Sequence, residues 1–199
     1  MFAAGDWIAC ARANKALEYV CKPATLAALI VAACVLDPAA GAGARRDWFV
    51  AALVASLAGD VLLMLPRDLF VFGLAAFLAG HLLYVVGFWT DPPGGFELAI
   101  AIVVVLALLG PLALRIVRSL GNEPELRPPV VAYIVVISAM LASALASGNV
   151  LAAGGAALFV SSDSMIAWNR FVRPFPAAAV AIMVTYHLGQ AGLVASLLR

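Results

Sequence analysis

Long apolar segments alternate with short polar ones along the whole chain. Charged residues are concentrated in the short segments, several of which also contain proline or glycine. A helix needs about 20 predominantly apolar residues to cross a bilayer, so each apolar segment predicts a membrane-spanning helix. We place seven spans at residues 23–36, 48–65, 69–89, 96–117, 130–146, 150–168 and 175–198.

The N-terminal region is the least regular part of this pattern. The first span begins at Pro23 in our prediction, because proline suits the first turn of a helix. Its uncharged core is short, so we expect it to borrow residues from Leu17 onward. Residues 1–19 carry four charged side chains, which argues against a cleaved signal peptide and predicts a short interfacial helix. If that segment also inserts, the number of spans becomes eight.

Composition excludes a soluble globular domain. Hydrophobic residues make up 65% of the chain and charged residues 12%, and the mean hydropathy is +1.08. The predicted fold class is all-α, a polytopic helical transmembrane bundle that forms a single domain over residues 1–199. The net charge of +1 and the lack of a basic run argue against a nucleic-acid partner.

The Lys and Arg residues predict the orientation. With the N-terminus in the cytoplasm, nine of them lie in inner segments and three in outer segments, in agreement with the positive-inside rule. The pair Arg45-Arg46 is the discordant feature. The alanine-rich composition suggests a bacterial inner membrane. Pro111, in the fourth span, is the one internal proline that we expect in a span.

Asp60 and Asp163 are carboxylates inside predicted spans. A charge there costs roughly 2.5–3.5 kcal/mol on insertion scales, so such residues usually face the bundle interior and have a function. Asp60 lies six residues before Pro66, and Asp163 lies seven before Arg170. At about 1.5 Å per residue, both lie roughly 10 Å from the cytoplasmic end of their spans. We therefore predict that they share one site.

Two neighbouring carboxylates cannot both ionise easily, so such a pair supplies an acid and a base together. The alternative is structural: each aspartate hydrogen-bonds a neighbour, or Asp163 pairs with Arg170 on its own helix face.

Other polar residues occur at helical spacing in the spans. His81 and Tyr84 share a face of span three, as His187 and Gln190 do in span seven. Each could instead be a satisfied structural contact. The two histidines and two aspartates could bind zinc, but no HExxH-like spacing supports this, so we expect neither metal nor cofactor. No GxSxG motif accompanies the serines, which argues against serine chemistry.

Several of these residues belong to longer motifs. The motifs are Lys22-Pro23, Gly59-Asp60 with Leu62-Leu63, Gly80-His81 with Tyr84, Tyr133 and Met140, Gly155 and Phe159, Ser162-Asp163 with Asn169-Arg170-Phe171, and Tyr186 with Gln190. With them the chain resembles the lysoplasmalogenase family, also called the YhhN-like family, over about residues 20–195. The Ser-Asp and Gly-Asp motifs together make the resemblance specific. Members are typically helical membrane enzymes with about eight spans, and this chain shows seven.

The resemblance implies hydrolysis of the vinyl ether bond of a lysoplasmalogen to a fatty aldehyde and a glycerophospho-alcohol. It implies that Asp60 and Asp163 are the catalytic pair. The lysophospholipid substrate is then expected to contact other polar residues of the spans and their ends. These candidates are Lys22, His81, Tyr84, Tyr133, Asn169, Arg170, Tyr186, His187 and Gln190.

Two other functions agree with intramembrane acids. A small proton-coupled transporter or lipid-handling protein would use them as a proton relay. An intramembrane aspartyl protease would share the Gly-Asp feature, but no further motif supports it. A transporter works only across a sealed membrane, whereas a hydrolase also works in detergent.

Overall fold

The computed structural model describes residues 1–199, apart from the side chain of residue 122. Within the described residues the fold is all-α. The helices are α1 Phe2–Ala11, α2 Lys15–Val35, α3 Gly43–Met64, α4 Phe70–Phe88, α5 Gly95–Ser119, α6 Arg127–Ala146, α7 Val150–Ala167 and α8 Ala178–Ala195. Seven of these described helices, α2 to α8, are long and apolar enough to cross a membrane. The predicted polytopic bundle of seven spans is confirmed.

The prediction that the first span begins at Pro23 is wrong. The helix α2 begins at Lys15, after Asn14, whose side chain accepts a hydrogen bond of 3.1 Å from the Leu17 N–H. Pro23 therefore lies inside α2, where a proline usually weakens a helix by removing one backbone hydrogen bond. The prediction began the helix too late because residues 15–22 include charged side chains. Two of these, Lys15 and Glu18, form an ion pair of 2.8 Å on the helix surface, so the helix can include them.

Pro111 is consequently not the only internal proline of a span. Pro23 lies inside α2 and Pro111 inside α5, and both helices continue through them. Transporters often bind their substrates at helices that are unwound in the middle. The helices α2 and α5 are not unwound at their prolines, so they lack this feature of transporters.

The N-terminal segment forms the predicted short helix, α1, which packs against α2 and α8. With ten residues it is too short to cross a bilayer alone. Its inner face is tightly packed: Asp6 and Ala9 are fully buried. Next to them, a Cβ on Gly5 would lie 2.8 Å from Cys21 Sγ. The helix α1 is therefore part of the bundle rather than an arm that extends from it.

The arginine pair that conflicts with the positive-inside rule is held by acidic partners. Arg45 Nη2 lies 3.6 Å from Asp91 Oδ2, and Arg46 Nη2 lies 3.1 Å from Asp47 Oδ1. Both arginines are therefore partly neutralised at their end of the bundle.

The helices α7 and α8 approach so closely that their backbones touch. A Cβ added to Gly155 would lie 2.7 Å from the Leu193 nitrogen and 2.8 Å from the Gly189 oxygen. Glycine is the residue that permits such an approach where lipid gives helices no hydrophobic reason to associate. The helices α7 and α8 thus form one closely packed pair, and α3 and α4 form another.

This packing predicts that Gly155→Ala destabilises the protein. The new methyl group would press on backbone atoms, which cannot rotate away, and overpacking of this kind typically costs about 1–3 kcal/mol. The measurement is the midpoint of thermal unfolding in detergent, which should fall.

Gly154→Ala is the matched control, because a Cβ at Gly154 would meet nothing within 4 Å. It should leave the midpoint unchanged or raise it slightly, since alanine is the better helix former. Equal midpoints for the two variants would show that α7 and α8 are not packed as described.

Candidate active site

Asp60 and Asp163 lie at the same end of the bundle. Asp60 is four residues before Met64, the end of α3, and Asp163 is four residues before Ala167, the end of α7. Because successive spans alternate in direction, α3 and α7 run the same way. The two carboxylates are therefore at similar depth, Asp60 on the pair α3–α4 and Asp163 on the pair α7–α8.

Asp60 is a fully buried carboxylate with a partner for each oxygen. Lys22 Nζ on α2 lies 3.3 Å from Oδ1, and the Tyr186 hydroxyl on α8 donates a 2.8 Å hydrogen bond to Oδ2. Asp60 is 1% exposed and Lys22 is 6% exposed. Lys22, one of the predicted substrate contacts, is therefore paired with Asp60 inside the bundle.

Asp163 has different partners and is more accessible. The Tyr133 hydroxyl on α6 donates a hydrogen bond to Asp163 Oδ2, and His81 Nε2 on α4 lies 3.7 Å from the same oxygen. The Asp163 side chain is 11% exposed. Tyr133, one of the predicted substrate contacts, is thus a direct partner of the acid.

The tautomer of His81 follows from its backbone contact. Its Nδ1 lies 2.6 Å from the Phe77 carbonyl oxygen, which can only accept, so Nδ1 carries a hydrogen. In the neutral ring the bare Nε2 then faces Asp163, and it is buried without a hydrogen-bond partner among the described side chains. Two facing acceptors favour a proton on one of them, or a water molecule between them.

The packed side chains of Phe77, Phe159 and Tyr186, here called the aromatic wall, connect the surroundings of the two acids. The Tyr186 ring, which is bonded to Asp60, packs on Phe77 and Phe159, with ring centroids 5.8 and 5.3 Å apart. Phe159 in turn packs on His81 at 4.6 Å. The acids are thus linked through packed side chains, and each has its own hydrogen-bonding partners.

Asp163 lines an apolar cavity of about 80 Å³ beside this aromatic wall. The cavity lies between α4, α6 and α7 and also touches the ends of α3 and α5. Residues that line it include Leu63, Phe70, Phe77, Tyr133, Asp163 and Phe171. Asp60 and its partner Tyr186 do not line this cavity. Of the two acids, it is Asp163 that a ligand in this cavity would touch.

The residues predicted on shared helix faces divide between two clusters. Tyr84 donates a 2.5 Å hydrogen bond to Gln190 Oε1, which ties α4 to α8. His187, by contrast, lies on the α1 side of the bundle. There the Trp7 Nε1–H donates to His187 Nδ1 at 3.1 Å, and Asp6 Oδ2 lies 4.0 Å from His187 Nε2.

Asp6 is a polar residue that our sequence analysis did not propose for a site. It is fully buried, and neither carboxylate oxygen has a hydrogen-bond partner among the described side chains. A single acid within the apolar segment FAAGDWIACA was the available signal, the same kind that singled out Asp60 and Asp163.

Asn169 and Arg170 follow α7 in a π-helical turn, Trp168–Val172. The Asn169 side chain accepts a 3.2 Å hydrogen bond from the Phe175 N–H, a local structural contact. Arg170 Nη2 donates to Asp68 Oδ2 at 3.2 Å, so Asp163 is not its partner. The hydrogen bonds from Arg170 and from the Phe70 N–H lower the pKa of Asp68.

Metal ligands are not grouped in the described part of the chain. Among its residues, no three His, Cys, Asp or Glu side chains come together in a way that could hold a metal ion. The chemistry that this site offers is that of a carboxyl group, a phenol and an imidazole at the wall of an apolar cavity.

Comparison with known proteins identifies relatives over most of the chain. A model of the YhhN family matches residues 17–197. Lysoplasmalogenase TMEM86B of Homo sapiens is 40% identical over 148 residues, 74% of this chain and 62% of that protein. The lysoplasmalogenase of Mycobacterium tuberculosis is 37% identical over 171 residues, 82% of this chain and 64% of that protein. No solved structure matches the chain significantly.

The matches leave part of each relative uncovered. They span between 62% and 67% of the length of the curated relatives.

The buried pair predicts that Lys22→Met is strongly destabilising. Removing one partner of a buried ion pair leaves an uncompensated charge and typically costs about 3–5 kcal/mol. Unfolding in detergent should report the loss, and adding Asp60→Asn to the same protein should recover part of it.

Lys15→Met is the control, because Lys15 belongs to a pair whose lysine is 68% exposed. Exposed pairs contribute little, so this variant should unfold like the wild type. A Lys22→Met protein as stable as Lys15→Met would contradict the buried pair.

Proposed function

The chain belongs to the YhhN family, and we propose from this that it hydrolyses the vinyl ether bond of a lysoplasmalogen. The products would be a fatty aldehyde and a glycerophospho-alcohol. The observation that carries the proposal is the position of Asp163, a carboxyl group on the wall of an apolar cavity inside the bundle. The relatives named lysoplasmalogenase support the choice of substrate.

The reaction requires an acid and later a base at one place. A proton adds to the β-carbon of the vinyl ether and leaves an oxocarbenium ion. Water adds to that ion and loses a proton, and the resulting hemiacetal breaks down to aldehyde and alcohol. Glycosidases use paired carboxyl groups for a related cationic transition state.

We assign the proton transfers to Asp163. Its protonated form would deliver the first proton from the cavity wall, and the carboxylate that remains would stabilise the cation and accept a proton from water. Tyr133 holds one oxygen of Asp163 in place through its hydrogen bond. The bare Nε2 of His81, 3.7 Å from that oxygen, could hold the attacking water.

Asp60 is assigned a positioning role. Its carboxylate belongs to an ion pair with Lys22 and holds the Tyr186 hydroxyl, whose ring supports Phe77 and Phe159. Phe77 lines the cavity, and Phe159 supports His81. Asp60 would thus influence the reaction indirectly, by supporting the aromatic wall, and would not contact the lipid.

The central test is aldehyde release from an alkenyl lysophospholipid by detergent-purified protein. Asp163→Asn should lower kcat by a factor of 100 or more, because the acid and base steps are both lost; removal of a general acid–base typically costs about 10²–10⁴-fold. The thermal midpoint of this variant should stay near that of the wild type.

The matched control is Asp37→Asn, an exposed aspartate after α2, which should keep full activity. Turnover that survives Asp163→Asn would refute the assignment. No turnover by the wild type on several alkenyl lipids would refute the proposed function and favour proton-coupled transport, measured next in sealed vesicles with a pH gradient.

The role of Asp60 is tested by its double variant with Lys22. Asp60→Asn alone should lose both stability and activity, because Lys22 then stays buried and unpaired. Lys22→Met together with Asp60→Asn should recover stability and at least part of kcat. A double variant that is stable but as inactive as Asp163→Asn would show that Asp60 takes part in the chemistry directly.

We also propose that the N-terminus lies in the cytoplasm of a bacterium, on the same side as the two acids. In a cysteine-free background, a cysteine in place of Arg46 should react with a membrane-impermeant maleimide in intact cells. A cysteine in place of Arg67 should react only after the cells are opened. The reverse pattern would invert the orientation.

A further inference from the structure

We propose that the loop between α3 and α4 forms, together with Arg170, the subsite that binds the phosphate group of the lipid substrate. This inference rests on the proposed function and names the part of the protein that reads the head group. The loop comprises residues 65–69.

The loop borders a polar cavity of about 280 Å³. Arg67 and Arg170 supply two guanidinium groups to its lining, and Asp68 supplies one carboxylate. Guanidinium groups bind phosphate through paired hydrogen bonds, which makes arginine a preferred phosphate ligand. The cavity is therefore suited to an anion with several oxygen atoms.

This polar cavity adjoins the apolar cavity that contains Asp163. Leu63 and Phe70 line both of them, so the two spaces are separated by little more than these side chains. A lysophospholipid has the same division, with an apolar chain on one side of its glycerol and a phosphate on the other. One molecule could then place its vinyl ether group in the apolar cavity and its phosphate in the polar cavity, with its glycerol unit passing Leu63 and Phe70.

The spacing between Asp163 in α7 and Arg170 in the π-helical turn that follows it agrees with this arrangement. Arg170 follows Asp163 by seven residues. At the helical rise, that separation is about 10 Å along the axis. A glycerol backbone with its phosphodiester can span this distance, so the vinyl ether would reach Asp163 while the phosphate stays near Arg170.

Arg170 packs on two aromatic side chains that line the apolar cavity, Phe70 and Phe171. Its guanidinium carbon lies 4.0 Å from the centroid of the Phe70 ring and 5.8 Å from that of Phe171, in cation–π geometry. The π-helical turn carries both Arg170 and Phe171, and turns of this kind are frequent at functional sites. On the other side of the turn, Arg115 stacks on Trp168 at 4.8 Å.

Asp68 occupies the place that a phosphate would take. Its carboxylate accepts the hydrogen bond from Arg170 at 3.2 Å and is 72% exposed. An exposed ion pair contributes little to stability, so an incoming phosphate can replace the carboxylate at low cost. Asp68 therefore competes with the substrate for Arg170.

The test compares two substrates: an alkenyl lysophospholipid, and an alkenylglycerol that has the same chain but no phosphate. Arg170→Gln should raise KM for the phospholipid about tenfold or more, as expected for a lost charge-assisted hydrogen bond. It should leave turnover of the alkenylglycerol within about twofold of the wild type. Arg170→Lys should restore part of the difference, and Asp68→Asn should lower KM for the phospholipid.

Arg173→Gln is the matched control, because Arg173 is an exposed arginine three residues further along the chain. The substitution makes the same change in charge at the same end of the bundle. It should leave the ratio of the activities on the two substrates as it is in the wild type. Equal losses on both substrates with Arg170→Gln would show a structural role and overturn the subsite, as would no loss on either.

Binding separates failure of the subsite from failure of the proposed function. A saturated alkyl lysophospholipid, which cannot be hydrolysed, should raise the thermal midpoint of the wild type more than a saturated alkylglycerol. Arg170→Gln should abolish that difference, even if no alkenyl lipid is turned over. No difference in the wild type, or an equal effect of inorganic phosphate at the same concentration, would overturn the lipid phosphate subsite.

Discussion

The ion pair between Lys22 and Asp60 is the interaction on which the arrangement of α2, α3 and α8 depends. Each charge alone would be expensive inside a membrane, and together they are tolerated because Tyr186 satisfies the remaining carboxylate oxygen. The three residues lie on α2, α3 and α8, so helices distant in sequence must meet at one depth. The aromatic wall then follows, since the ring that bonds Asp60 is also the ring that packs on Phe77 and Phe159.

This constraint explains why two similar acids have different surroundings. Asp60 is enclosed by a cation, a phenol and the wall, and a substrate cannot reach it without breaking the ion pair. Asp163 is held by Tyr133 and lines the apolar cavity. Asp60 thus supports the aromatic side chains around Tyr186, and one of them, Phe159, packs on His81, which faces Asp163.

The spans could be predicted because twenty apolar residues have one stable arrangement in lipid, and α4 shows it within a residue at each end. The start of α2 was predicted too late, because its first two turns carry Lys15, Glu18 and Lys22. Lys15 and Glu18 pair locally, but Lys22 is accommodated by Asp60 on α3, a tertiary contact that no local pattern contains. For the same reason, the sequence could not predict that the two histidines lie in different surroundings. His81 and His187 both have a polar residue three positions later, yet one faces Asp163 and the other Asp6 and Trp7. Helical spacing predicts a shared face, and only packing decides what that face meets.

The close approach of α7 and α8 connects the fold to the chemistry. A Cβ on Gly189 would lie 2.8 Å from the Phe159 nitrogen, so a larger residue there would push α7 away from α8. One turn further on, the Ser162 hydroxyl donates to the Ile182 carbonyl at 3.1 Å, which fixes the rotation of α7 beside Asp163. Glycine at the contact and serine beside the acid therefore set where the carboxyl group points. Gly189 on α8 and Ser162, which directly precedes Asp163, thus help to hold this carboxyl group at the cavity where we propose that the reaction takes place.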